Sequence, residues 1–324
     1  MVDEFKQLCE RSIAQFKKHL KQNNLRFNKK LSDPNYLART PFCPIEYRSK
    51  LDITMLCDDS STNYYQNLIG VLRWIVELGW IGIAFEVLSL SKLLSYPSPG
   101  HIYQALHIYK YLKTHIDNDL SFDPMYHDFA NLNQNHQKID EMKKIYVKAK
   151  EEFPTNAPKH RGKSVQLNCF MNSDHAGDCM TRRSQTGILI FGNSAPMNWY
   201  SKKQNTVESS TLRAEFVALQ IATELITSFR YKLRMFGIPV TEPANVFCDN
   251  EVVYKSSAFA ELQLRRKHQS ICYHLLREAV AAGKIIVHKV DGKDNLANLL
   301  TNSVPAHRRK YLRSKIMFSE DKEW

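Results

Sequence analysis

Apolar residues recur at helical spacing between residues 63 and 94, within the run YYQNLIGVLRWIVELGWIGIAFEVLSLSKLL. Gly79 interrupts this pattern, which predicts two apolar helices in succession. A third helix is expected in the run HIYQALHIYKYLKTH, and a loosely amphipathic pattern over residues 4–22 predicts a helix near the start of the chain. The first part of the chain is therefore expected to hold an N-terminal helix and loop (residues 1–62) and a small helical segment (residues 63–116).

The pattern changes in the second part of the chain. Residues 117–164 are polar and are broken by several prolines, which predicts a linker. The short apolar runs VQLNCFMNSD, QTGILIFGNS and PMNWYSKKQ follow, and turn residues bound each of them, which indicates strands joined as hairpins. Helical and strand patterns then alternate, so the expected order of elements is β-β-β-α-β-α-α-β-α.

The composition is that of a basic globular protein. The 324 residues include 45 Lys and Arg against 33 Asp and Glu, which gives a formal net charge of +12. An excess of positive charge favours a polyanionic partner, because each phosphate that is neutralised releases counterions. Simple solubility is the alternative explanation of the same charge.

The cysteines and the apolar stretches bear on the cellular environment. Seven cysteines are scattered without a C-x-x-C pair, which favours reduced thiols in a cytoplasmic or nuclear protein. The N-terminus lacks the apolar core of a secretory signal. The most apolar stretch, Leu68–Leu90, contains Arg73, Glu77 and Glu86, so a membrane span is not expected.

Three carboxylates stand where side chains from different elements can converge. Asp174 and Asp249 are the last residues of the first and fourth predicted strands of the second part, and Glu215 lies in its first helix. Sites in α/β sheets form at the carboxyl ends of strands, and gathered carboxylates need cations such as Mg²⁺ to offset their repulsion. Such clusters support phosphodiester cleavage. The alternative is that these residues are ordinary solvated surface carboxylates.

Several runs of the second part resemble the ribonuclease H domain of copia-type retrotransposon polyproteins. They are NSDHAGDCMTRRSQTGILIFGNSAPMNWYSKKQNTVESSTLRAEFVAL, VFCDNEVV, RRKHQSICYHLLREAVAAGKI and DNLANLLTN, and they occur in the family order. The helical run over residues 64–115 resembles the segment that joins the reverse transcriptase palm to that domain. Together, the resemblance covers about Phe42 to Leu312.

The resemblance implies an α/β (α+β) fold of the ribonuclease H type, in which a mixed sheet with flanking helices occupies residues 165–312. Residues 313–324 are then a tail. It also implies cleavage of the RNA strand of an RNA–DNA hybrid by two Mg²⁺ or Mn²⁺ ions. The expected partners are the hybrid or another nucleic acid, together with the remaining reverse transcriptase portion.

The family's metal ligands do not all carry over to this sequence. Glu215 and Asp249 match the family pattern, whereas the first and last ligand positions hold Asn172 and Asn298. An amide keeps a carbonyl oxygen but loses the charge, so weak Mg²⁺ binding and weak or absent cleavage are expected. Asp174 is a candidate replacement ligand, because it lies two residues after Asn172 on the same face of an extended strand. Against this, a ligand two residues further along is displaced by about 6.6 Å, which metal-assisted chemistry tolerates poorly.

Further candidates lie outside the ligand set. The resemblance places His268 near the active site, where it would assist product release, and a solvated helix start is the equal alternative. Lys267, Arg182, Arg183, Lys202 and Lys203 are candidate phosphate contacts, with an ordinary basic surface as the alternative.

No polymerase site is expected in the first part of the chain. Cys57-Asp58-Asp59 is only superficially similar to the family's Y-x-D-D motif and is predicted to be a solvated turn. The chain is therefore expected to begin after the polymerase site. Three interpretations stay open: an impaired hybrid ribonuclease, a non-catalytic nucleic-acid-binding module, and a decayed polyprotein fragment.

Overall fold

A computed structural model describes residues 37–42, 55–115, 118–120, 139–153, 155–178, 180–258 and 270–319, with a few isolated positions. Its helices are α1 (Asp59–Glu77), α2 (Ala84–Ser91), α3 (Pro99–Thr114), α4 (Ile139–Ile145), α5 (Thr211–Met235), α6 (Glu251–Ala258), α7 (Ser270–Ala281), α8 (Asn298–Thr301) and α9 (Ala306–Ser314). Its strands are β1 (Asn118–Leu120), β2 (Leu167–Ser173), β3 (Gln185–Gly192), β4 (Ala195–Lys203), β5 (Ala244–Cys248), β6 (Ile285–Lys289) and β7 (Met317–Ser319). The predicted helix over residues 4–22 lies outside the described ranges.

The chain divides into two compact units. The first takes the described residues up to Leu120 and those from Ser303 onward, and the second takes those from Ser121 to Asn302. Within the described ranges, no helix is both long enough and apolar enough to cross a bilayer.

In the first unit, α1, α2 and α3 bury their apolar faces. Helix α1 begins at Asp59, because the side chain of Asp58 accepts a hydrogen bond of 2.9 Å from the N–H of Ser61. The two aspartates predicted to form a solvated turn are therefore the start of a capped helix, four residues before the predicted helical segment at residue 63.

The C-terminal helix α9 also belongs to the first unit. Arg309 is buried there, and its guanidinium donates to the carboxylate of Glu86 and to the carbonyl oxygen of Gly82. Strand β7 pairs antiparallel with β1 in the same unit. The predicted end of the ribonuclease H-like domain at residue 312 therefore differs from the structure, in which the described residues from Ser303 onward leave the second unit.

The second unit is built on a mixed five-stranded sheet in the order β4-β3-β2-β5-β6. Strand β3 runs antiparallel to β2 and β4, while β5 runs parallel to β2 and to β6. The predicted order of elements is confirmed, as is the predicted α/β class, a mixed sheet with flanking helices.

The two faces of this sheet meet different partners because side chains alternate along each strand. Leu167, Cys169 and Met171 of β2 face the apolar core that α5 and α7 cover. Phe170 lies on the other face and stacks on Phe247 of β5, with the ring centroids 4.8 Å apart. Asn172 belongs to this second face by the same alternation.

The region predicted as a linker contains a packed segment, residues 139–153, which we call the strap. Met142 of α4 is fully buried in the core of the second unit. The hydroxyl of Tyr146 lies 2.6 Å from Nδ1 of His274 in α7. Part of the segment predicted as a linker, residues 117–164, therefore packs against the second unit.

A buried ion cluster fastens the strap to α5. The two carboxylate oxygens of Glu151 accept hydrogen bonds of 2.8 Å from Arg230, and one of them accepts a hydrogen bond of 2.9 Å from Arg234. Arg234 also forms an ion pair of 2.8 Å with Oε1. Burial alone would raise the pKa of Glu151, but the hydrogen bonds and charges of the two arginines outweigh it and lower the pKa to about 2. These partners lie 79 and 83 residues away along the chain, which hides them from local patterns.

Replacing Glu151 is expected to destabilise the second unit. Glu151→Gln leaves two almost fully buried guanidinium groups without a counter-charge, so the free energy of unfolding should fall by about 3 kcal/mol. Because folding lowers the pKa of Glu151, its contribution to the free energy of unfolding is present above about pH 4.5 and is lost as the pH falls towards about 2. Urea unfolding measures both effects, and Glu152→Gln, at an exposed neighbour, is the matched control. Equal loss in the two variants would contradict the role of the cluster.

Candidate metal and nucleic-acid site

The ends of three strands define the candidate site. Strands β2 and β5 are parallel, with Phe170 opposite Phe247, so two residues further along Asn172 and Asp249 occupy neighbouring positions at the same end of the sheet. Strand β6 also runs in this direction and ends at Lys289.

Helix α5 brings Glu215 to the same end. The helix begins after Ser210, whose hydroxyl accepts from the N–H of Arg213, and Glu215 lies in its second turn. The Glu215 carboxylate is buried and accepts the N–H of Ser173, at the end of β2. Its other oxygen, Oε2, has no hydrogen-bond partner in the described part of the chain.

The environment of Glu215 favours its protonated form. Burial raises the pKa of Glu215 to about 8, the charge of Asp249 adds to the shift, and the Ser173 hydrogen bond opposes it. A buried oxygen without a partner beside a second carboxylate fits one divalent cation or one proton.

Helix α8 supplies the fourth position from the opposite face of the sheet. It lies so close to β3 that a Cβ atom on Gly187 would come within 2.7 Å of Thr301 Cγ2 and 2.9 Å of the Ala297 carbonyl oxygen. Gly187 pairs directly with Asn172 across the β2–β3 ladder. The missing side chain at Gly187 therefore lets Asn298, the first residue of α8, reach Asn172.

The two amides are in direct contact. Nδ2 of Asn172 donates to Oδ1 of Asn298 at 2.8 Å and to Oγ1 of Thr301 at 2.7 Å, and all three residues are buried. Nδ2 of Asn298 donates to the carbonyl oxygen of Gly292, whose Cα faces Asp249. The structure thus brings positions 172, 215, 249 and 298 together, as a carboxylate half (Glu215 and Asp249) and an amide half (Asn172 and Asn298).

This division decides how well the site fits metal ions. Among the described residues, no group of three or more His, Cys, Asp or Glu is arranged to hold a metal. The carboxylate half fits one cation, through the unpartnered oxygen of Glu215. The amide half does not fit a second, because its donors and acceptors are already bonded to each other.

Asp174 does not take the place predicted for it. Strand β2 ends at Ser173, and Oδ1 of Asp174 accepts from the backbone N–H of Gln185. Oδ2 lies 1.7 Å from the position that a Cβ on Gly177 would take, so both oxygens are directed into the loop that follows β2. In this geometry Asp174 is therefore not positioned to act as a metal ligand in place of Asn172.

The predicted phosphate contacts lie partly at this end of the sheet. Lys202 is exposed at the end of β4, and Arg182 is exposed in the loop after β2. Lys203 is engaged in an ion pair of 3.0 Å with Asp178, and Arg183 is half-buried. Lys267 and His268 lie outside the described residues.

Comparison with known proteins gives relatives that include several retrovirus-related Pol polyproteins. The retrovirus-related Pol polyprotein from transposon RE1 of Arabidopsis thaliana is 25% identical over 277 residues, which is 86% of this chain and 16% of the relative. The corresponding polyprotein from transposon TNT 1-94 of Nicotiana tabacum is 32% identical over 148 residues, 45% of this chain and 11% of the relative. No family model matches the chain.

These relatives confirm the resemblance to copia-type retrotransposon polyproteins. The RE2 polyprotein of Arabidopsis thaliana, 29% identical over 141 residues, is of the same kind and is matched over 10% of its length. The chain thus spans only about a tenth to a sixth of the length of these relatives.

Similar solved structures are ribonucleases H. LC11-RNase H1, isolated from compost by a metagenomic approach, is 15% identical over 42% of this chain and 93% of its own length, with a TM-score of 0.34. The N-terminal RNase H domain of rv2228c from Mycobacterium tuberculosis is 13% identical over 47% of this chain and 98% of its own length, also with a TM-score of 0.34.

Sequence reasoning missed three residues that shape the site. Nζ of Lys289 donates to the backbone oxygen of Asp249 at 2.7 Å, and no local pattern indicates this contact. Thr301 accepts from Asn172, and it lies in a helix too short for a periodic signal. Gly187 did carry a signal, because an isolated glycine within a strand indicates close approach of another backbone.

Adding a side chain at Gly187 is expected to force α8 away from β3. Gly187→Ala should lower the free energy of unfolding by about 1–3 kcal/mol, since part of the obstruction is backbone that cannot rotate away. The measurement is urea unfolding. Gly70→Ala is the control, because a Cβ there meets nothing within 4 Å and a helical alanine is favoured by about 0.5–1 kcal/mol. Stability unchanged in Gly187→Ala would refute the close approach.

The raised pKa of Glu215 predicts a pH-dependent loss of stability. Between about pH 4.5 and about pH 8 an unfolded Glu215 is ionised while the folded one keeps its proton, so stability falls as the pH rises through this window. Glu215→Gln mimics the protonated form and should be more stable than the natural chain by about 2–4 kcal/mol at the upper end, with little difference at the lower end. Unfolding of Glu215→Gln and of the natural chain, measured across this pH range, tests the prediction, with exposed Glu278→Gln as the control. Parallel profiles for Glu215→Gln and the natural chain would contradict the shift.

Proposed function

We propose that the ribonuclease H-like domain of this chain binds RNA–DNA hybrid, or a duplex of similar shape, and cleaves its RNA strand at most slowly. The observation that carries the proposal is the hydrogen bond between Asn172 and Asn298. Two-metal hydrolysis requires ligands for both cations. The contact between the two amides occupies one half of the site with neutral groups that already satisfy each other.

The carboxylate half sets the limit of any remaining cleavage. Glu215 and Asp249 would hold a single Mg²⁺, which would supply Lewis-acid stabilisation of charge on a phosphate oxygen. The chain's own residues position the two groups that would hold this cation: Ser173 holds one oxygen of Glu215 through its N–H, and Lys289 holds the backbone of Asp249. Nothing in the amide half would replace the contribution of the second cation.

Binding is supported by the charge of the sheet end. Lys202, at the end of β4, and Arg182, in the loop after β2, are exposed at the same end of the sheet as the site, which carries two carboxylates where the family pattern has four. A cluster of four unneutralised carboxylates would repel a phosphate backbone, whereas a half-neutral cluster repels it less. Binding should therefore need no divalent cation. The copia-type resemblance points to the hybrid as the substrate class.

The test measures binding and cleavage on one labelled RNA–DNA hybrid, with and without Mg²⁺. The natural chain should bind about equally in both conditions and cleave about 100-fold or more slowly than Asn172→Asp/Asn298→Asp, because the double variant regains both missing carboxylates. Arg182→Gln and Lys202→Gln should each reduce the salt slope of binding by about 0.7–0.9, as expected for one lost phosphate contact.

The controls separate this site from other causes. Adding Glu215→Gln to the double variant should abolish cleavage, which excludes a contaminating nuclease. Lys232→Gln should leave the salt slope unchanged, because Lys232 lies about 25 Å along α5 from Glu215. Cleavage by the natural chain as fast as by the double variant would overturn the proposal, as would binding that requires Mg²⁺.

A further inference from the structure

The amides at positions 172 and 298 belong to a larger hydrogen-bonded group, which we call the amide network. Its members are Asn172, Asn295, Asn298, Thr301 and Asn302. Besides the Asn172 contacts, Nδ2 of Asn295 donates to the carbonyl oxygen of Met171 at 3.0 Å. Nδ2 of Asn302 donates to Oγ1 of Thr301, also at 3.0 Å. The network therefore ties α8 and the loop before it to the end of β2.

The orientation of Asn298 is set by backbone groups that can only accept. Its Nδ2 donates to the carbonyl oxygens of Gly292 (2.8 Å) and Asn295 (3.1 Å), so its Oδ1 must face Asn172. An aspartate here would turn one carboxylate oxygen towards these two carbonyl oxygens. The loop before α8 is thus shaped for an amide at position 298.

The orientation of Asn172 is set in the same way. Oγ1 of Thr301 lies 3.4 Å from the Ala297 carbonyl oxygen, to which its proton is directed, and so accepts from Asn172 and Asn302. An aspartate at 172 would face Asn298 Oδ1 and Thr301 Oγ1 without a proton to donate. Carboxylates at both positions would place two negative charges in contact within a buried environment, which is strongly unfavourable without a cation.

We propose that the amide network replaces a bound cation as the cross-link between β2 and α8, so that this end of the domain folds without divalent metal. Each buried donor in the network meets an acceptor, and the cross-link carries no charge that needs an ion. The proposal concerns stability and holds whether or not the domain binds nucleic acid.

The experiment follows amide hydrogen exchange in α8 and thermal unfolding of the full chain, with chelator and with Mg²⁺. The natural chain should show the same α8 exchange rates in both conditions, and Mg²⁺ should raise its midpoint less than that of the double variant, through the carboxylate half alone. Asn172→Asp/Asn298→Asp should lower the midpoint in chelator by about 4–8 °C and should recover part of this loss in Mg²⁺. The matched control is Asn156→Asp/Asn205→Asp, which adds the same charge at two exposed positions and should do neither.

Thr301→Val changes no charge, so it tests the proposal even if the double variant does not fold. Thr301→Val preserves shape but removes the acceptor shared by Asn172 and Asn302, so exchange in α8 should accelerate about 10-fold at any Mg²⁺ concentration, while exchange in α7 stays unchanged. Three results would overturn the proposal: stabilisation of the natural chain by Mg²⁺ to the same extent as the double variant, a double variant as stable in chelator as its control, or unchanged α8 exchange in Thr301→Val.

Discussion

The parallel register between β2 and β5 is the constraint on which the candidate site depends. A shift of one residue would turn Asn172 into the apolar core and bring Met171 to the polar end of the sheet. The row Leu167, Cys169 and Met171 is fully buried against α5 and α7, so this shift is strongly disfavoured. Apolar packing, several residues away, thus determines which polar groups meet at the sheet end.

Local patterns were sufficient to predict the sheet and part of the site. Short apolar runs with turn residues mark β2, β3 and β4 because these strands are bounded by polar loops. The rule that strand ends gather side chains places position 172 near Asp249. The fit of Asn298 to the fourth position came from the family resemblance, since the short helix that carries it has no periodic signal of its own.

The parts that sequence reasoning missed are held by contacts between distant residues. The sequence predicts a linker for the strap because its charged residues are typical of solvent-exposed chain, yet Glu151 is paired with arginines about 80 residues later. Helix α9 lies in the first unit, outside the domain predicted for residues 165–312, because Arg309 pairs with Glu86, 223 residues earlier. Asp174 likewise serves the loop after β2, because its Oδ1 accepts from the backbone N–H of Gln185, a contact that a motif comparison does not reveal. A buried ion pair has no local signature, so its partners emerge only from the fold.

Carboxylates gathered at one end of the sheet would repel one another, and the two halves of the site reduce this repulsion in different ways. The carboxylate half keeps its two acidic groups. Burial, together with the charge of Asp249, raises the pKa of Glu215, so this half holds a proton in the absence of a cation. The amide half removes the charge and uses the freed N–H groups as donors to neighbouring oxygens. Lys289 adds a fixed positive charge at the backbone of Asp249. All three features make the sheet end less repulsive to phosphate and weaken its affinity for divalent metal. Under the proposed function, binding of a nucleic-acid backbone and slow cleavage therefore have one electrostatic cause.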